Sequence, residues 1–309
     1  MLAKVKKNKI SFIIVNYNSS KYIEQLIISL NKFVNNSSNE IIIIDNNSTD
    51  QKIINVPLKT PIINIYYLKN NLGFSVANNI GVTKANSDYI VLVNPDIVLI
   101  EDCITPIIEF LEKNENIGAC GPLLMNNDFS VQPSTGFKMG LFYEAAEAYY
   151  LINIIRKLFY LKIIKNKSSN IPIKVAWISA ALIVIKNKVF KEVDGFDTNY
   201  FLNYEDIDLC RRLNDKGYIN YYFPYLKCIH YSHSSFENNY DLLILSRYKS
   251  RLLYASKHYN RITRFIVRKI HISGLLLRLI LVNLIYQGNE KYQRYSGYKK
   301  ALQLYIKFK

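Results

Sequence analysis

The sequence predicts an α/β protein built on a Rossmann-like, mostly parallel sheet flanked by helices, followed by a basic helical C-terminal extension. Three observations predict it. Short β-rich runs alternate with amphipathic helical stretches through the first 124 residues, the pattern of successive βαβ units. The run Tyr89-Ile-Val-Leu-Val93 has little polar content, as a strand covered on both faces requires. Beyond Ser246 the chain turns helical, basic and aromatic to its end.

The elements follow in order. Ile10 to Val15 is a strand closed by the polar turn Asn16-Tyr-Asn-Ser-Ser20. Ile23, Leu26, Ile27 and Leu30 then recur at helical spacing, so residues 21–34 form a helix with a Ser or Asn cap. Glu40 to Ile44 is a second strand, ended by Asp45-Asn-Asn-Ser-Thr-Asp50, and Ile62 to Leu68 a third. After the turn Asn70-Asn-Leu-Gly73 comes a helix from Ser75 to Ala85, then the strand Tyr89 to Val93. Pro95 has no N–H to donate and fits where strand pairing stops, which puts Asp96 on the rim where open α/β sheets bind ligands.

Asp102 to Lys113 is a further helix and Gly118 to Leu124 a further strand. Met125 to Lys174, in which Phe142 to Ile164 mixes aromatics with Arg156, Lys157 and Lys162, is expected as an insertion over the active face. Val175 to Lys186 is one long strand-like run, and residues 187–193 a short helix. Glu205, Asp206 and Asp208 open a helix that stops at Gly217, an arrangement the helix dipole alone accommodates. Tyr218 to Phe223 and Leu226 to Tyr231 are two strands. The expected division is a catalytic domain over 1–246, with a nucleotide half to about 124 and an acceptor half to 246, and an extension over 247–309.

A hydrophobic content of 50% excludes a disordered chain. The net charge of +16 is concentrated at one end: residues 247–309 hold 15 Lys or Arg against the single acid Glu290. Such a tail seeks anionic lipid headgroups or, second, nucleic acid. No apolar run reaches the roughly 18 residues a bilayer span needs. Ile272 to Tyr286, interrupted by Arg278 and Asn283, resembles an interfacial amphipathic helix, with a core-packing helix as the alternative. The run Ser11 to Val15 is too short for a signal-peptide core. Cys103, Cys120, Cys210 and Cys228 show no C-x-x-C spacing and are expected as reduced cytosolic thiols.

Four polar turns, at residues 16–20, 45–50, 70–73 and 94–96, fall on one edge of a parallel sheet. There the amides of Asn16, Asn46 and Asn70 and the carboxylate of Asp45 suit a nucleobase, while Gly73 allows close backbone approach. With no P-loop and no G-x-G-x-x-G fingerprint, a pyrophosphate needs a hard divalent cation, for which Asp96 is the candidate. Glu205, Asp206 and Asp208 are the densest acidic cluster; like charges favour a raised pKa in one of them and the helix N-terminus opposes it. His230 and His233 follow a strand and fit a metal ligand or phosphate contact, or plain surface histidines.

Seven motifs in one order then carry a resemblance: Ile14-Val-Asn-Tyr-Asn18, Asp45 to Asp50, Asn70-Asn-Leu-Gly-Phe74, Asn94-Pro-Asp96, Gly195-Phe-Asp197, Phe201 with Glu205-Asp206-Ile-Asp208, and His230 to Ser235. Together they resemble inverting family 2 glycosyltransferases of the GT-A fold, in their rhamnosyltransferase-like branch. The resemblance implies that Asp45 and Asn46 contact the nucleobase and that Asn16, Asn18, Asn70, Gly73, Asn94 and Arg211 complete the donor-binding set. It implies that Asp96 holds Mg²⁺ or Mn²⁺. The first acid of the family's D-x-D is Asn94 here, so His230 is the candidate to complete the metal shell. It implies that Asp206 is the general base, with Glu205 and Arg211 beside it.

The expected protein is a cytoplasmic enzyme, peripheral on the inner face of an anionic membrane. It moves a sugar, plausibly rhamnose from dTDP-rhamnose, from a nucleotide-sugar donor to a glycan or polyprenyl-linked acceptor, and does not act on nucleic acid. The rival classes are a sugar-nucleotide nucleotidyltransferase, whose glycine-rich basic N-terminal signature is missing, and a basic nucleic-acid-binding protein.

Overall fold

A computed structural model describes residues 9–34, 38–50, 62–165, 170–232 and 239–308. The basic N-terminus before Lys9, and His233 to Ser235 of the histidine motif, lie outside the described residues. The first half contains β1 (Ile10–Asn16), α1 (Ser20–Phe33), β2 (Glu40–Asp45), β3 (Ile62–Tyr67), α2 (Phe74–Lys84), β4 (Tyr89–Val93), β5 (Ile97–Leu99), α3 (Thr105–Lys113) and β6 (Ile117–Met125). The insertion contains β7 (Thr135–Gly136), α4 (Leu141–Ala148) and α5 (Ile152–Lys165). Then come β8 (Ile173–Val175), β9 (Trp177–Ile178), β10 (Leu182–Lys186), α6 (Asn187–Glu192), α7 (Glu205–Asp215) and β11 (Ile219–His230). Three helices close the chain: α8 (Tyr240–His258), α9 (Arg261–Ile285) and α10 (Gly288–Lys307).

The main sheet runs β3-β2-β1-β4-β10-β6-β11-β5, with β8 on β11. Its first four strands are parallel, and β10 enters antiparallel beside β4. The chain leaves β1 to one side for β2 and to the other for β4, so the crevice between Asn16 and Asn94 is a topological switch point. Alternation along β1 covers both faces. Phe12 and Ile14 pack with α1 and α3, whereas Ile13 and Val15 pack with α2, α6 and α7. Strands buried on both faces are apolar throughout, which explains why Tyr89 to Val93 carries no alternation.

Two expectations about strands are corrected. Val175 to Lys186 is not one strand but β8, β9 and β10, because Trp177 and Ile178 leave the main sheet to pair with Thr135 and Gly136, and a turn at Ser179 precedes β10. Conversely, the two strands expected over 218–223 and 226–231 are one, β11 (Ile219–His230), whose register shifts between Phe223 and Lys227, around Pro224. Strand β5, too short to show a period, pairs antiparallel with β11 and sets His230 opposite Ile97.

The C-terminal helices are both core and surface. The helix α9 buries Val267, His271, Gly274, Leu275, Arg278 and Val282, and Gly274 sits where a Cβ would lie 2.8 Å from Ala148 of α4. Its opposite face leaves Ile262, Phe265, Leu276, Ile280 and Leu284 between 50% and 76% exposed. The core-packing expectation thus describes one side of this helix, and the other side is apolar and exposed. Residues 246 and 247, where a boundary was expected, both lie within α8. Among the described residues no helix is long and apolar enough to cross a membrane.

A buried charge cluster ties these helices to the insertion. Arg251 of α8 lies 3.4 Å from Glu144 and 3.5 Å from Glu147, both on α4, and His271 of α9 lies 2.7 Å from Glu144. The neighbouring Arg251 holds Glu144 below the usual carboxylate range against the cost of burial. Removing the guanidinium would leave that carboxylate uncompensated. Arg251→Ala is expected to cost about 3–5 kcal/mol in urea unfolding, and Arg251→Leu combined with Glu144→Leu to recover most of it. A loss below about 1 kcal/mol would show that the cluster is solvated and not structural.

Candidate active site

The ends of β1, β2 and β4 meet the insertion, α7 and α8 around one cavity of about 670 Å³. Asp96 and Asp206, some hundred residues apart, both line it, together with Glu205, Asn94 and His230. Asn46 and Gly73 also line it. The other expected donor residues, Asn16, Asn18, Asp45, Asn70 and Arg211, do not line it.

Parallel register explains the first edge. Asn16 ends β1 opposite Asp45 at the end of β2. The Asn16 side-chain amide donates to Asp45 Oδ2 at 2.7 Å and to Ser48 Oγ at 3.0 Å, and Asn18 Oδ1 accepts from the Thr49 amide at 2.7 Å. Asn16, Asn18 and Asp45 thus fasten the loops after β1 and β2 to one another. Asn46 Nδ2 donates to Asn71 Oδ1 at 2.9 Å, while its Oδ1 accepts from the Leu72 amide at 2.9 Å. Asn71 faces the cavity, and the expected Asn70 is one residue outside the lining. Gly73 has φ +85, and a Cβ there would lie 2.7 Å from the Phe201 carbonyl oxygen, so close backbone approach is what its glycine permits.

The second edge is built around Asp96. Pairing of β5 with β11 carries His230 to Asp96, with Nε2 3.3 Å from Oδ1, and Asn94 Nδ2 lies 3.4 Å from the same nitrogen. His230 Nδ1 stands 2.6 Å from Gln132 Oε1, an acceptor, so Nδ1 carries a proton and donates it. Nε2 therefore faces the Asp96 carboxylate, as an ion pair when the ring is protonated and, when it is neutral, as a lone pair beside a carboxylate, a pairing that suits a shared cation. Among the described residues no group of three or more His, Cys, Asp or Glu could hold a metal. The pair fits a divalent ion that takes its other ligands from phosphate oxygens and water.

The acidic cluster divides by environment. Asp208 is fully buried and bonded to Arg212 Nε at 2.6 Å, Lys257 Nζ at 2.9 Å and His258 Nε2 at 2.7 Å. Despite the burial that opposes ionisation, His258 and Arg212 foremost hold its pKa down at about 2. Asp206, partly open to the cavity, accepts from the Ala180 amide at 3.1 Å, and burial raises its pKa despite that bond. Glu205 is buried with Oε2 unpartnered, and burial followed by the charge of Asp206 raises its pKa well above the carboxylate range. Asn203 and Tyr204, just before them, have φ of 68 and 72. Left-handed backbone at such residues costs on the order of 1–3 kcal/mol each; Arg251 Nε at 2.5 Å from Tyr204 Oη helps hold the turn.

Arg211 is displaced from its expected place. It pairs with Asp215 at 2.9 Å and does not line the cavity, because five residues along α7 rotate it roughly 140° from Asp206. Sequence reasoning missed Gln132, and it missed a wall made by Tyr143, Glu147, Arg156, Arg247 and Arg251. For Arg156 the one signal was an arginine inside an aromatic stretch.

Residues 11–183 match the family model Glycosyl transferase family 2, more than half of the chain. The chain belongs to glycosyl transferase family 2. Within this family it is similar to an N-acetylglucosaminyl-diphospho-decaprenol L-rhamnosyltransferase of Mycobacterium tuberculosis (strain ATCC 25618 / H37Rv), with 25% identity over 156 residues, 50% of this chain and 51% of that one. It is also similar to the rhamnosyltransferase WbbL of Escherichia coli (strain K12), with 41% identity over 59 residues, 19% of this chain and 22% of that one. The chain spans at most about half the length of these curated relatives.

Two solved structures share the fold. GalNAc-T7 with UDP, GalNAc and Mn²⁺ superposes with a TM-score of 0.61 at 14% identity, over 97% of this chain and 56% of that one. The mannosyltransferase PcManGT from Pyrobaculum calidifontis, in complex with GDP-Man and Mn²⁺, gives 0.56 at 13% identity, over 97% and 87%. The family 2 chain therefore shares the α/β fold of these two structures. Residues of its β1–β4 edge and its α7 acids line one cavity.

The two fates of the α7 acids predict opposite effects on stability. Asp208, with its folded pKa depressed to about 2, contributes stability that is complete above the unfolded value of about 3.9 and is lost as pH falls through about 2. Asp208→Asn is therefore expected to lose about 2 kcal/mol in urea unfolding near pH 7, with the deficit shrinking towards pH 2. For Glu205, whose folded pKa is raised, the contribution is present below the unfolded pKa and lost as pH rises through the folded one. Glu205→Gln should leave neutral-pH stability unchanged or higher. A marked loss there would contradict the burial assigned to it.

Proposed function

We propose that this family 2 glycosyltransferase transfers a sugar with inversion from a nucleotide-sugar donor, rhamnose from dTDP-rhamnose, to a polyprenyl-linked or polysaccharide acceptor. One observation carries the proposal. A carboxylate with raised pKa, Asp206, and the facing pair Asp96 and His230 line the same cavity at the carboxyl edge of the sheet.

In this reading Asp206 removes the proton of the acceptor hydroxyl. That oxygen bonds to the anomeric carbon from the face opposite the nucleotide, and the bond from carbon to the phosphate oxygen breaks, releasing the nucleoside diphosphate. The Ala180 N–H bond holds Asp206 in place, and its raised pKa makes it a stronger base. Asp96 and His230 would hold Mg²⁺ or Mn²⁺, which when bound offsets charge on the departing diphosphate. Asn94 donates towards the same point where a second carboxylate is usual, and Gln132 fixes the His230 ring.

Asp96→Ala and Asp206→Asn are each expected to lower sugar transfer at least about 10²-fold in a donor panel that measures nucleoside diphosphate release with Mn²⁺. Because a base works only when ionised, kcat/KM should fall as pH drops through the raised Asp206 pKa, and Asp206→Asn should abolish that limb. Turnover within a few-fold of wild type in either variant removes the role given to that residue. Gln132→Ala is expected to weaken Mn²⁺ binding, read by electron paramagnetic resonance, about 10- to 100-fold.

The proposal places the protein peripherally on the cytoplasmic face of an anionic membrane. Support comes from the exposed apolar face of α9, which Lys269 interrupts and which Arg261 and Arg264 accompany. A second copy of the chain would bring the same positive surface and repel. Deleting the helix would strip His271 and Leu275 from the core, so the test substitutes outer positions alone. Phe265→Ser, Ile280→Ser and Leu284→Ser together should abolish flotation with phosphatidylglycerol vesicles that carry wild-type protein. Equal flotation of both forms, or none by wild type, would sink the membrane claim.

A further inference from the structure

The cavity has more positive charge than the reaction at its donor edge uses. Its far wall, from α4, α5 and α8, presents Arg156, Arg247 and Arg251 beside Glu147. Arg251 is consumed by Glu144, Glu147 and Tyr204. Arg156 donates to the Tyr143 hydroxyl at 2.7 Å and lies 3.8 Å from Glu147. Arg247 is exposed and projects to the cavity within electrostatic reach of the same Glu147. Four guanidinium groups act on Glu147, those of Arg156, Arg247 and Arg251 on the cavity wall and that of Arg278 outside it, and among the described residues Glu144 is the only other carboxylate bonded into this cluster. Burial and Arg251 disfavour the charged form of His271, so it does not add to the balance. A surplus of positive charge stays on the wall, in a cavity whose low-dielectric sides focus it.

We propose that Arg247, backed by Arg156, forms an anion subsite that receives the diphosphate of a polyprenyl-diphosphate-linked acceptor. The proposal rests on the glycosyl-transfer reading and adds to it the place of the acceptor's charge. Arginine pairs with phosphate oxygens through two parallel N–H bonds, which suits a diphosphate held in one orientation. In that reading the donor diphosphate has its own place at Asp96, in the turn between β4 and β5, and at His230, the end of β11, away from these helices. The order of surfaces also favours a lipid-borne anion over a free one. Helix α5 turns Arg156 to the cavity and, on its opposite side, leaves Ile154 61% and Leu158 63% exposed. A ligand with its diphosphate inside and its hydrocarbon leading out over α5 matches both.

The chain carries its own reporter, because Trp177 is its one tryptophan and lines the cavity. The full-length protein, with Mn²⁺ in excess and its donor site filled by whichever of dTDP, UDP or GDP binds, is titrated with farnesyl diphosphate and with farnesol while Trp177 fluorescence is followed. Farnesyl diphosphate is expected to bind at least about tenfold more tightly than farnesol, Arg247→Gln to erase most of that difference, and Arg247→Lys to keep part of it. Inorganic pyrophosphate should compete weakly, since it lacks the hydrocarbon. Equal binding of farnesyl diphosphate and farnesol by wild type overturns the subsite, as does an Arg247→Gln variant that loses nucleotide affinity instead. Failure of all three nucleotides would count against the glycosyl-transfer reading alone, because the comparison of the two farnesyl compounds is also read without them.

Discussion

The parallel register of β1 with β2 and β4 is the constraint on which the rest depends. Pairing Asn16 with Asp45, and Ile13 with Leu92, brings the carboxyl ends of these strands to one line. Every polar turn that follows them must then emerge on the same edge. A slip of one residue would turn the strand faces over and carry Phe12 and Ile14 away from α1. The continuous apolar filling of both faces resists that slip. The two cores hold the register, and the register holds the donor edge.

Burial separates carboxylates that adjoin one another in sequence. Asp208 has two cationic partners, Arg212 and Lys257, and a hydrogen bond with His258, and stays ionised at 0% side-chain exposure. Glu205 and Asp206 are without such partners in the bonds they make, and the same dehydration raises their pKa values. A helix N-terminus acts on all three, so the dipole cannot account for the difference. What differs is which neighbours the tertiary fold supplies. His258 and Lys257, at the end of α8, rescue Asp208 alone, and the α8 helix thereby links the integrity of α7 to the C-terminal helices.

Those helices form part of the catalytic body. Arg251 and His271 reach back to Glu144 in the insertion, and Arg251 also supports the strained turn before Glu205. The basic tail seen in composition therefore has two uses. Some of its charge neutralises buried acids, and the remainder lies on the cavity wall and on the outer surface. Counting residues cannot separate these, since Arg251 and Arg247 differ by four positions and face opposite demands.

The sequence by itself determined the alternating strands and helices of residues 10–124, the family, and the identity of Asp96 and Asp206 as acids on one cleft. Local periodicity and turn chemistry express the alternation directly, because strands buried on both faces must be apolar and the turns after them must be polar, whereas the family and the role of Asp206 rested on the resemblance carried by seven motifs in one order. Tertiary structure alone decided the break of residues 175–186 into three strands, the strand pairing by which His230 reaches Asp96, and the removal of Arg211 to Asp215. It also decided that Gln132 and Arg247 face the cavity. Each of these depends on pairing between segments far apart in the chain, as when β5 meets β11 across 130 residues, roughly, of intervening sequence. A local pattern holds no record of its distant partner, so the carboxylates were legible as acids while their charge states were settled by what folds against them.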